Sequence, residues 1–111
     1  MSAPILASKI RHRLVLQKPV YSRDELGSTM VSWQNVVSLW ASIDPIRGGE
    51  RFENQKVETR QNFKISTRYR ADIVPNMRLR KASRLFLIRN IANIDEENHT
   101  LEMVCEEIIN N

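Results

Sequence analysis

Hydrophobic and polar residues alternate along most of this chain with a period of two. The clearest run is 57–69, where Val57, Thr59, Phe63, Ile65 and Tyr69 share one phase with Gln61 and Thr67. Glu58, Arg60, Asn62, Lys64, Ser66 and Arg68 share the other. Successive strand side chains point to opposite faces, so this run predicts a strand with one core face and one wet face. It is about twice the usual strand length, which predicts a long twisted hairpin arm or a strand passing round a barrel.

Other segments follow the same rule. His12, Leu14 and Leu16 alternate with Arg13, Val15 and Gln17 up to Pro19, and Asp24-Glu25-Leu26-Gly27 reads as a turn. Thr29 to Val36 predicts a strand carrying Trp33, and Leu39, Ala41 and Ile43 predict another that stops at Pro45, which has no N–H to donate. Met77 and Leu79 alternate with Arg78 and Arg80. Leu85 to Ile91 is nearly all apolar, as in a strand buried on both faces or one closing a barrel. After a polar turn at Asp95 to His99, Leu101, Met103 and Cys105 alternate with Glu102 and Glu106. These patterns predict an all-β fold, a small closed or half-closed β-barrel of about six to seven antiparallel strands. Closure removes the sticky edges of an open sheet.

One stretch breaks the rhythm. Residues 45–56 hold Gly48, Gly49 and mixed charges without a period of two, so they predict one long flexible loop with a helical turn over Glu50 to Gln55. Long loops in compact domains are usually functional or disordered, which makes this the first place to look for function. At 111 residues the chain is expected to form a single domain, with 1–9 as an N-terminal arm.

Composition narrows the chemistry. Cys105 is the single cysteine, and on an apolar strand phase it reads as a core residue rather than a nucleophile. His12 and His99 stand far apart with no cysteine pair, so no metal site is predicted; His12 reads as a packing residue and His99 as a solvated turn residue. Gly48-Gly49 lacks a following Gly-Lys-Ser/Thr, and Asp95-Glu96-Glu97 lacks calcium-loop spacing. No catalytic constellation and no cofactor are expected. No signal peptide is read at the N-terminus, and no apolar run approaches the ~20 residues that span a bilayer. The formal charge of +4 permits contact with nucleic acid. Arg60, Lys64 and Arg68 could track phosphates, yet Phe63 and Tyr69 fall on the opposite phase, where they offer no stacking platform beside those cations.

A family resemblance runs through the whole series in order. Leu6, then Arg11-His-Arg-Leu, Asp24 to Gly27, Trp33, Trp40-Ala41 and Gly48-Gly-Glu-Arg-Phe open it. Lys64-Ile-Ser-Thr-Arg-Tyr-Arg, Ile73 to Leu79, Phe86-Leu-Ile-Arg-Asn-Ile, Ile94-Asp-Glu-Glu-Asn and Leu101-Glu-Met-Val-Cys-Glu-Glu continue it. Over about residues 6 to 109 the chain resembles the head–tail joining family of tailed phages, also called head-closure, head-completion or stopper proteins.

That resemblance implies a structural virion protein, made in the host bacterial cytoplasm and placed at the head–tail interface. It implies a homo-oligomeric ring that forms on assembly, with the free protein a monomer in many relatives. The ring would bridge a portal or adaptor protein to a tail terminator or tail-tube protein. Double-stranded DNA would pass through without specific binding and be retained. The segment that would reach into the channel matches Arg47, Gly48, Gly49, Glu50, Arg51, Phe52, Glu53 and Lys56, and the strand face of Arg60, Lys64 and Arg68 is a candidate subunit contact. Two other readings stay open: a monomeric nucleic-acid-binding barrel, and a tail-side minor or terminator protein.

Overall fold

The computed structural model describes residues 10–46, 52–53, 56–57 and 61–108, the side chains of 52–53 and 56–57 excepted. In chain order the elements are β1 (His12–Arg23), β2 (Thr29–Pro45), β3 (Phe52–Glu53), β4 (Lys56–Val57), β5 (Asn62–Arg68), β6 (Arg78–Lys81), β7 (Arg84–Asn93), a 3-10 turn (Ile94–Glu96) and β8 (Thr100–Ile108). Six antiparallel strands close a barrel in the order β1-β2-β5-β8-β7-β6, and β3 with β4 forms a separate small hairpin. The all-β barrel read from the alternation is the fold.

The inward phase of each strand fills the barrel. Leu14 and Leu16 of β1, Leu39 and Ala41 of β2, Phe63 and Ile65 of β5, Leu79 of β6, Phe86 and Ile88 of β7 and Leu101, Met103 and Cys105 of β8 are all buried. Phe63 and Phe86 meet edge to face with ring centroids 5.4 Å apart, a geometry in which the positive edge of one ring meets the negative face of the other. Ile73 and Met77, from the connection between β5 and β6, cover one end of this core. Small barrels are packed solid by their own side chains. This interior is a core and not a pore.

Closure rests on a short seam. β1 pairs with β6 at only three positions, Val15↔Arg80, Leu16↔Leu79 and Gln17↔Arg78, whereas it pairs with β2 along its whole length from His12↔Ala41 to Arg23↔Thr29. β5 takes β2 only from Ala41 to Pro45. From Lys18 outward, β1 and β2 therefore continue as a free two-stranded ribbon about 20 Å long. The twisted arm belongs to β1–β2; of the two outcomes the run at 57–69 predicted, arm or barrel strand, residues 62–68 take the second as the seven-residue strand β5.

The ribbon tip is built by Asp24. Its Oδ1 accepts from the N–H of Leu26 (2.9 Å) and of Ser28 (2.8 Å), and its carbonyl accepts from Gly27 N at 3.0 Å. Gly27 has φ +84°, which a glycine adopts without a Cβ clash.

Three expectations need correction. Thr29 to Val36 and Leu39 to Asp44 are one strand, β2, because Val36 is an extra residue opposite the Leu16/Gln17 step and the bulge shifts the phase by one. Leu85 to Ile91 is not buried on both faces: Phe86 and Ile88 point into the core, Leu85 and Leu87 are half-buried, and Arg89 is exposed at a second bulge. The helical turn over Glu50 to Gln55 is replaced by strand pairing, Phe52↔Val57 and Glu53↔Lys56; Glu50, Arg51, Asn54 and Gln55 lie outside the described residues.

Candidate functional site

The excursion after Pro45 leaves and rejoins the barrel at fixed points. Ile46 N donates to Asn62 O and Glu107 N donates to Gln61 O, each at 3.0 Å. These bonds anchor both stems to the same end of the barrel, where β8 also finishes. Of the candidate channel residues, Phe52, Glu53 and Lys56 fall in the small hairpin, while Arg47, Gly48, Gly49, Glu50 and Arg51 lie outside the described residues. Of the candidate contact face, Lys64 and Arg68 are exposed on the outside of β5, opposite the buried Phe63 and Ile65; Arg60 lies outside the described residues.

Arg84 closes the barrel at that same end. Its guanidinium sits over Phe86 at 4.8 Å and over Phe63 at 5.4 Å. Its Nε and Nη2 donate to the Glu107 carboxylate at 2.9 and 3.3 Å. A cation held over two ring faces and forked onto a carboxylate is fixed in place. Lys81 and His12 meet nearby, with Nζ 2.6 Å from Nδ1. A lysine can only donate, so the imidazole accepts at Nδ1 and is neutral. Burial first, then Lys81, Arg11 and Arg84, hold the His12 pKa below its ordinary 6.5, against the opposite pull of Asp44. Burial pushes the Cys105 thiol up to about 12, which leaves no thiolate for chemistry at neutral pH. Among the described residues, no three His, Cys, Asp or Glu side chains gather as a metal site.

At the opposite end, the arm is bolted to the barrel through residues that the alternation did not single out. Arg78 Nε donates to Gln17 Oε1 at 2.7 Å, and Gln17 Nε2 donates to Asn35 Oδ1 at 2.7 Å. The Arg78 guanidinium lies 4.1 Å from the Trp33 ring centroid. Burial, and then Arg80, hold the Arg78 pKa below its ordinary 12.5; arginine stays protonated regardless. Gln17 is buried although polar, and these bonds satisfy it. Beyond this clamp the ribbon exposes Tyr21 (65%), Met30 (54%) and Val31 (50%). Exposed apolar residues grouped on a projecting ribbon mark an interaction surface.

Among the described residues, no helix is long and apolar enough to cross a membrane. No curated protein matches the sequence. The fold is similar to a chain of the virion of a native gene transfer agent particle, with a TM-score of 0.70 and 26% identity over 90% of this chain and 96% of that one. It is also similar to protein SF1141 from Shigella flexneri 2a, with a TM-score of 0.68 and 21% identity over 96% of this chain and 100% of that one, a likeness of fold alone. The sequence matches the phage head completion protein family over residues 5–108. The filled barrel, the anchored excursion and the projecting ribbon are therefore features of a chain that belongs to the phage head completion protein family, and so to the structural proteins of the virion.

Proposed function

We propose that this protein is a connector subunit, many copies of which form a ring at the head–tail interface, join the portal or adaptor to the tail, and retain packaged DNA. The observation that carries the reading is the solid interior of the barrel in a chain of the head completion family. A barrel packed with Leu14, Phe63, Phe86 and Met103 conducts nothing, so a passage for double-stranded DNA has to lie between copies. The excursion at Arg47, Gly48, Gly49, Glu50, Arg51, Phe52, Glu53 and Lys56 is then the segment that reaches into that passage, and its mixed signs suit a DNA that slides past without being held. Lys64 and Arg68 stand on a strand face available to a neighbouring copy.

Assembly rather than catalysis fits this reading: Cys105 is buried, Arg84 is paired with Glu107, and His12 accepts from Lys81. A monomeric nucleic-acid-binding barrel has weaker support, because Phe63 is buried and Tyr69 packs against the core, away from the cations of β5. A tail-side terminator or minor tail protein is the third reading.

Replacing Arg47 to Lys56 with a short Gly-Ser link tests the proposal. Its melting curve should match that of the full chain, and particles made with it should lose DNA or fail to acquire tails. Tailed, DNA-filled particles at full yield would refute the role of the excursion. Co-purification with tails that lack heads would favour the tail-side reading.

A further inference from the structure

Two surfaces of the barrel carry opposite charge. β6, β1 and β2 are neighbours in the ring of strands, and β8 is the third neighbour of β1 in either direction. The wall of β6 and β1 carries Arg13, Arg78 and Arg80 on its outer side, and β1 and β6 hold no acid at all. In β2 the one acid is Asp44, at the far end and across from Lys64. Arg78 and Arg80 stand on the same face of β6, two residues apart, and Arg80 raises the cost of charging Arg78. Trp40, 54% exposed, lies on this wall directly across from Arg13, and Tyr21 and Val31 extend it along the ribbon.

The corner that joins β7 to β8 lies beyond the end of β7, the strand next to β6 in the ring, and it is acidic. Asp95 and Glu96 are exposed there, each with φ 53°. Their positions are set by Asn93 and Asn98: Asn98 N donates to Asn93 Oδ1 at 3.1 Å and Asn93 Nδ2 donates to Asn98 Oδ1 at 2.7 Å. The corner lies at the same end of the barrel as the arm, because β1 and β7 run in the same direction and the corner follows the end of β7. A left-handed turn pinned by two hydrogen bonds presents its carboxylates from a backbone that is already ordered.

We propose that the wall of Arg78, Arg80 and Trp40 binds the Asp95–Glu96 corner of a second copy of this chain, head to tail. The inference rests on the ring reading and names the surfaces that build it. Two different surfaces of one subunit that complement each other make a heterologous contact, which closes into a ring when each step turns by a fixed angle. The wall has the composition of an interface centre, arginine and aromatic side chains held rigid by the Arg78–Trp33 stack. A duplex would also be drawn to these cations, but it would have no use for the acidic corner, and the second copy has.

The test uses two full-length variants, each with one surface destroyed. Arg78→Gln with Arg80→Gln keeps only the corner; Asp95→Asn with Glu96→Gln keeps only the wall. Both should melt cooperatively, as checked by circular dichroism. With the first labelled with 15N and the second added up to about 1 mM, amide shifts should saturate at one to one and map to residues 93–99. Labelling the second instead should move residues of β6 and β1, and added salt should weaken the contact at least about tenfold. Either variant alone should show no such shifts. No shifts in the mixture, or shifts that map to Lys64 and Arg68, would overturn the assigned surfaces while the ring reading stood, since that is judged by the number of copies in a particle. Wall shifts with a short duplex at physiological salt, and none with the second variant, would give the wall to nucleic acid instead.

Discussion

Arg78→Met removes the clamp between arm and barrel and leaves the side-chain stem in place. Two interactions go. The guanidinium stacked 4.1 Å from the Trp33 centroid is worth ~0.5–1 kcal/mol at a partly exposed site. The charged hydrogen bond to Gln17 Oε1, 2.7 Å long, is worth ~1.5–3 kcal/mol when fully dry. Arg78 is half-buried, so screening trims both, and the sum settles near 2 kcal/mol. For a domain of this size that corresponds to a melting temperature lower by roughly 8 °C. Arg80→Met, on the same strand with its guanidinium in no stack of this kind, should shift melting by no more than about 2 °C. Arg78→Lys should fall between, because an ammonium keeps the charge but loses the planar fork that reaches ring and amide together. Thermal denaturation followed by Trp fluorescence gives the global value, and amide exchange across Val20 to Val31 reports the arm. Exchange there should quicken more than in β8. If Arg78→Met melts with Arg80→Met, or if the arm exchanges as before, Arg78 is not the clamp.

Three further outcomes follow from single residues. Ala82 sits at φ 53° in the two-residue turn between β6 and β7, a left-handed conformation costly for a residue with a Cβ, so Ala82→Gly should raise stability by about 0.5–1 kcal/mol in urea titrations. Cys105 is fully buried with its pKa raised to about 12, so its reaction with a thiol reagent should be slow and should track global unfolding across a denaturant series; fast labelling in native buffer would place it at the surface. His12 has a folded pKa below 6.5, so the unfolded chain takes up the proton first as pH falls. Its contribution is constant above about pH 6.5 and is lost as pH falls from there through the folded value. Denaturant midpoints measured from pH 7.5 downward should show that loss, and His12→Gln should flatten it.

Much of the barrel was legible because its strands obey strict alternation over a solid core: Leu14 and Leu16, Phe63 and Ile65, and Leu101, Met103 and Cys105 fall on the inward phase that the sequence marks. The continuity of β2 was not, since Val36 adds one residue at a bulge and reverses the phase midway. Arg89 does the same to β7. The ribbon left a clue in the turn at Asp24 to Gly27, which joins two runs that alternate, but its length beyond the barrel depends on where β5 and β6 stop. The Arg78–Gln17–Trp33 clamp joins residues 61 apart in sequence at its hydrogen bond and exists only because β6 closes against β1. Periodicity within a strand carries no information on that register. The gathering of Arg13, Arg78 and Arg80 on one wall has the same origin: it follows the order of strands around the barrel, and acids and bases look evenly interspersed when read along the chain.

A reconstruction of the neck of intact particles bears most directly on the central claim. It should show copies of this filled barrel arranged around a DNA passage, with residues 47–56 facing the lumen and the β6–β1 wall of each copy against the β7–β8 corner of the next. A passage that ran through the barrels themselves, or a single copy attached away from the head–tail axis, would contradict it.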